Sequence, residues 1–157
     1  MARRPAAALF FVPQLQIKGL PFRDYTPGVM ASFPTGMPVL MVDTGAFVET
    51  EFYHHSDPSV HVFYPIDWPV ALDPRNEGGV SGPHEMDNFK MDDLYADNIR
   101  PTEELLARYK DFAVVTPKGN IWMQRRILED PRFTVVPHST FMVNPVIGMD
   151  TWVVHAH

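Results

Sequence analysis

The chain has no cysteine among its 157 residues. Disulfides, thiolate metal ligands and cysteine nucleophiles are thereby excluded. Basic residues are scarce: 13 Lys and Arg stand against 19 Asp and Glu, for a net charge of −6. Nucleic-acid binding needs a basic face, so no nucleic-acid partner is expected. A polybasic membrane anchor is disfavoured for the same reason. Long hydrophobic runs are also missing. The longest, Pro5–Pro13 and Met37–Val42, fall far short of the ~18 apolar residues of a membrane span. Gly-x-Ser-x-Gly, Gly-x-Gly-x-x-Gly and the phosphate-binding Gly-Lys-Thr/Ser are all absent, which removes the common signatures of acyl and nucleotide chemistry.

What the chain has instead is proline: 16 residues, spaced almost evenly. Proline lacks a backbone donor and interrupts helix interiors and central strands. With 45% apolar and 12% aromatic residues a core can still form. The expected fold is therefore α+β or largely irregular, with short strands, small sheets and one or two short helices. Residues 1–38 hold six of the prolines and read as an extended proline-rich arm. Residues 39–157 read as a single small α+β domain. Residues 1–23 contain Arg3, Arg4, Lys18 and Arg23 and no acid, a composition shared with mitochondrial targeting segments.

Along the domain, Val39–Val42 reads as a buried strand that Asp43-Thr44-Gly45 turns, with Phe47–Tyr53 as a second strand. Val60–Leu72 should be extended, with Phe63, Tyr64, Ile66 and Trp68 seeking apolar cover. Asp73–Pro83 is loop-like. Glu85–Glu104 is acidic, either a solvated face or a docking surface for a basic partner. Thr102–Phe112 reads as a helix, capped by Thr102, with Leu105, Leu106, Tyr109 and Phe112 on one face. Thr116-Pro117-Lys118-Gly119 suits a hairpin turn leading into a helical turn at Met123–Glu129. Phe133–Val136, Phe141–Val143 and Trp152–Val154 read as short strands.

Two islands carry a family resemblance. Asp43-Thr44-Gly45-Ala46 after Val39–Val42, and Val146-Ile147-Gly148-Met149-Asp150 near the C-terminus, resemble the motifs of retropepsin-like aspartic proteases. The resemblance implies a homodimer in which Asp43 is the catalytic carboxylate, with Gly78-Gly79 in the place of a flap. The sequence departs from that pattern in three ways. About a hundred residues separate the islands, Phe47-Val48-Glu49 replaces small polar residues, and little chain follows Gly148. Met91–Leu128 also resembles the small helical matrix subunit of the cytochrome bc1 complex, although the remainder does not share its helical pattern.

Seven histidines, His54, His55, His61, His84, His138, His155 and His157, lack the spacing of a rigid metal-ligand set. No metal and no cofactor is expected. The sequence thus points first to a non-catalytic accessory subunit of a larger assembly, peripheral to a mitochondrial inner-membrane complex such as a respiratory complex or ATP synthase. Its partners would be other protein subunits, met through Phe63, Tyr64, Ile66, Trp68, Leu105, Leu106, Tyr109 and Phe112. The alternative is the aspartic protease built on Asp43.

Overall fold

Val39, Leu40 and Met41 are apolar without interruption. Such a run suits a strand covered on both faces, and it becomes the centre of a sheet. A computed structural model describes residues 26–73, 81–93, 95–119, 126–127, 129–142 and 148–157. Among them the element order is α1 (Thr26–Ala31), β1 (Val39–Met41), α2 (Thr44–His54), β2 (Val62–Ile66), α3 (Trp68–Ala71) and α4 (Ser81–Met91). There follow β3 (Ile99–Pro101), α5 (Thr102–Arg108), β4 (Asp111–Pro117), β5 (Phe133–Met142) and β6 (Gly148–Ala156). The protein is mixed α+β, as expected. Its strands join one six-stranded sheet in the order β3-β2-β1-β4-β6-β5, larger than the small sheets the prolines suggested. Five α-helices among the described residues replace the one or two expected. No helix among the described residues is long and apolar enough to cross a membrane.

β1 to β4 run parallel. β6 is antiparallel to β4, and β5 is antiparallel to β6. Side chains alternate across β1 and divide the core in two. Val39 and Met41 face Val29, Phe33, Phe47 and Met86 from α1, its following turn, α2 and α4. Leu40 and Val42 face Leu105, Leu106, Phe112 and Ile127. Each fully buried large side chain contributes about 1.5–3 kcal/mol, so both faces are held by apolar contact.

Most described prolines stand where a donor is not required. Pro69 and Pro83 lie in the first turns of α3 and α4, Pro101 caps α5, and Pro137 sits at a register shift on the outermost strand. Pro65 is inside β2, but pairing with β1 closes at Leu40↔Phe63 and Pro65 pairs only toward Arg100 of β3.

Several sequence expectations are corrected. Phe47–Tyr53 is helix, not strand: Phe47, Thr50 and Glu51 are buried at the i, i+3, i+4 spacing of one helix face. The helix expected over Thr102–Phe112 stops at Arg108. Tyr109 is extended, and Phe112 enters β4 because the Phe112–Val115 run is wanted between β1 and β6. Thr102 is the first helical residue rather than the cap, which is Pro101. Of the hairpin expected at Thr116–Gly119, the turn at Lys118–Gly119 is described and residues 120–125 lie outside the described residues; β4 pairs with β1 and β6. The strands expected at Phe133–Val136 and Phe141–Val143 are one strand, β5, to Met142; Val143 lies outside the described residues. The loop expected over Asp73–Pro83 is described at Asp73 and from Ser81, where α4 begins. Of the expected helical turn at Met123–Glu129, Arg126, Ile127 and Glu129 are described, the first two helical. The expected arm is described only from Thr26, and there it carries α1 and the core residues Val29 and Phe33.

Candidate functional site

The chain moves from β1 outward to β2 and β3, then returns to lay β4 on the other side of β1. Open α/β sheets bind ligands outside the carboxyl ends of their strands, where the strand order reverses in this way. Asp43 follows β1 at that end. Its Oδ1 accepts the Ala46 amide at 2.7 Å and caps α2. Thr44 is hydrogen-bonded to the Tyr64 hydroxyl, and burial, above all, pushes that phenol up to about 12. Gly82 of α4 comes so close that a Cβ there would lie 2.6 Å from the Tyr64 hydroxyl. Glycine is needed for that approach.

A cavity of about 620 Å³ opens at the carboxyl ends of β2 and β3. Its volume is in the roughly 300–1,000 Å³ range of small-molecule sites. Ile66, Pro69, Val70 and Pro101 supply apolar wall, and Asp67, Trp68, Asp87, Lys90, Thr102, Glu103 and Arg126 supply polar groups. Local sequence explains the positions. Asp67 ends the apolar β2 run, and its Oδ1 accepts the Val70 amide at 3.2 Å to cap α3. That cap aims Trp68 toward α4, where its indole nitrogen donates to Asp87 Oδ2 at 2.8 Å. Arg126 reaches back from the segment after β4. Its Nε donates to Asp67 Oδ2 at 2.9 Å and its Nη1 to Asp130 Oδ2 at 3.2 Å, while Nη2 pairs with Glu103. Hydrogen bonds from Arg132 hold the Asp130 carboxyl below the usual carboxylate range. Thr102 is 1% exposed, and its Oγ1 has no hydrogen-bond partner among the described residues. A smaller cavity of about 270 Å³ is lined by Met30, Gly36, His54 and Ser59, where α2 ends and the chain approaches β2.

The residues expected to meet partners are covered by the chain itself. Phe63, Tyr64, Ile66, Leu105, Leu106 and Phe112 are buried in the two core clusters. Tyr109 packs on Phe63 with ring centroids 5.5 Å apart. Of the eight, Ile66 and Trp68 line the large cavity. Asp43 and Asp150, the acids of the two islands of the protease resemblance, lie at one end of the sheet. Asp43 follows β1, and Asp150 pairs opposite Thr116 of the intervening β4. Val146, Ile147 and Gly78-Gly79 lie outside the described residues. Along the acidic stretch Glu85, Asp92, Asp93, Asp97, Glu103 and Glu104 are exposed. Among the described residues no group of three His, Cys, Asp or Glu is placed to hold a metal ion.

Sequence reasoning missed Asp67 and Arg126. The signal for Asp67 was present: an acid directly after an apolar run, with proline two residues later, is a strand-to-helix junction. Nothing local to Arg126 shows that it crosses to β2. No protein family, curated protein or solved structure matches this chain.

Proposed function

We propose that the protein binds a small polar molecule in the cavity at the carboxyl ends of β2 and β3. The observation that carries this reading is a cavity of about 620 Å³ at the carboxyl end of the parallel strands, the end at which such sheets bind ligands, beside β2 and β3 and one strand out from the β1–β4 reversal. Its wall joins apolar surface to a few fixed polar groups, which is how small-molecule sites combine affinity with orientation. Screening a fragment library by NMR tests it. Binders should shift the Trp68 indole N–H and the amides of Val70 and Thr102. Binders that shift only residues far from β2 and β3 would defeat the reading.

A second reading, an accessory subunit of a larger assembly, has one observation in its favour. β5 closes one edge of the sheet with ten residues that include no Asp, Glu, Lys or Arg, and its Val136 and Met142 are 46% and 58% exposed. Long edges without charge are surfaces on which another strand can pair. Mass spectrometry of proteins that co-purify with the chain tests this. Loss of a stoichiometric partner on Val136→Lys is expected, and a chain that purifies alone counts against it.

A further inference from the structure

We propose that the ligand of this cavity is a nucleoside, its ribose diol held by Asp67 and its base laid against Trp68; the inference rests on the cavity being a small-molecule site. The first ground is position. In sheets that begin with the strand order 3-2-1-4, an acid roughly twenty residues beyond the first strand-to-helix turn receives ribose hydroxyls. Asp67 stands at that place, immediately after β2 and roughly twenty residues past Asp43-Thr44-Gly45.

The second ground is the state of the carboxylate. Asp67 accepts one bond at each oxygen, from Val70 and Arg126. An ionised carboxylate has about four acceptor sites, so a diol can add to those that remain. Arg126 holds Asp67 in place while its own donors are committed to Asp67, Asp130 and Glu103. Each guanidinium nitrogen thus already faces a carboxylate, and the charge of Arg126 is matched before any anion arrives.

The third ground is the rest of the wall. Asp67, Asp87 and Glu103 outnumber Lys90 and Arg126, so a neutral ligand is favoured over an anionic one. Trp68 offers an aromatic surface for a base. Thr102 belongs to the same wall, and its hydroxyl is buried without a partner among the described residues, a polar group that a base edge or sugar hydroxyl would satisfy once it reached it. The first strand-to-helix turn has a single glycine, and the Asp43 carboxylate occupies the amide face of α2. A pyrophosphate needs that face open and a glycine-rich turn, so recognition rests on the nucleoside part.

Calorimetric titration of the full chain with adenosine, guanosine, cytidine and uridine tests the proposal, with their 2′-deoxy and 3′-deoxy forms and with free ribose and glucose. Saturable binding of at least one ribonucleoside is expected, with a shift of the Trp68 indole signal. Removing either hydroxyl should weaken binding at least tenfold. Asp67→Asn keeps a helix-capping side chain and should cause a similar loss; the deoxy series gives the same information without any substitution. Equal binding of ribo and deoxy forms overturns the proposal, as does free sugar binding as tightly as the nucleoside. If fragments occupy the cavity and no nucleoside does, the nucleoside assignment falls and the cavity reading stands. If neither binds, both fall.

Discussion

The parallel half of the sheet and its antiparallel hairpin are built on different terms. β1 and β2 are buried along their whole length, three and five residues each, with helices over both faces. β5 and β6 are ten and nine residues long, and β5 is mostly exposed. The parallel half gains its stability from apolar burial, and its connections must cross over the sheet. Those crossings bring Asp43, Asp67 and Thr102 to one end. The hairpin half is held by its ladder and by local polar contacts such as Thr140 Oγ1 to Asp150 Oδ1 at 2.7 Å. The comparison shows why the candidate site belongs to the parallel half: short buried strands and crossover connections leave a crevice at their carboxyl ends, and a hairpin leaves none.

Core truncation should separate the halves most strongly. Phe112→Ala, at a position with 0% exposure, is expected to cost about 3–5 kcal/mol. Val136→Ala on the exposed side of β5 should change stability by no more than about 0.5 kcal/mol. Urea unfolding of both variants measures this, and similar losses would erase the distinction.

Next in size is the polar knot of the hairpin. Thr151 is 2% exposed; its Oγ1 accepts the Ser139 amide at 3.0 Å and donates to the Ser139 carbonyl at 3.0 Å. These bonds sit at the Pro137/Ser139 register shift. Thr151→Val leaves the amide unpaired and should cost about 1–3 kcal/mol. A neutral result would mean that the ladder alone fixes the bulge.

The close approach of α4 to β2 sharpens the picture of the parallel half. Gly82→Ala should destabilise by about 1–3 kcal/mol through overpacking against the Tyr64 hydroxyl. In a Tyr64→Phe background the colliding oxygen is gone, and the same substitution should cost less. Strict additivity in this double-mutant cycle would show that the contact is not what makes glycine necessary.

Removing the cap on α2 comes next. Asp43→Ala should cost about 0.5–2 kcal/mol, and Asp43→Asn much less, since asparagine caps nearly as well. Thermal melts decide between them. A large loss with Asp43→Asn would mean that the charge, not the cap, matters.

The smallest expected effect is electrostatic. Glu51 is 4% exposed, and burial raises its carboxyl above the usual range although Asn98 Nδ2 donates to it at 2.8 Å. A raised acid binds its proton more tightly in the folded state. Its cost is therefore absent below the unfolded pKa of about 4.5 and grows as pH rises through the folded value. Glu51→Gln should raise the melting temperature at pH 7 and leave it unchanged at pH 4. A gain equal at both values would assign the effect to packing.

Much of the fold was legible in the residues. Val39–Val42 and Phe133–Val136 read as strands because continuous or β-branched apolar runs leave little else. Leu105 and Leu106 read as a buried helix face and are one. Phe47–Tyr53 misled because it alternates weakly, and the cap that decides its form lies outside it, at Asp43. Phe112 was assigned to the helix because its spacing from Leu105 fits, whereas the sheet offered it a position between two strands. Asp67 was readable as a junction but not as cavity wall.

By itself, the sequence determined the class of the protein. Its prolines and its 45% apolar residues pointed to mixed α and β elements around an apolar core, while scarce basic residues and absent cysteine excluded partners and chemistry. Proline also marked most element boundaries, because a missing donor is a local constraint. The tertiary structure alone decided that these elements share one sheet, and in which order. It alone brought Asp67, Asp87, Thr102 and Arg126 to one cavity. Strand order and the return of Arg126 to β2 depend on contacts between residues far apart in the chain, and a local pattern of side chains does not encode which distant partner each will meet.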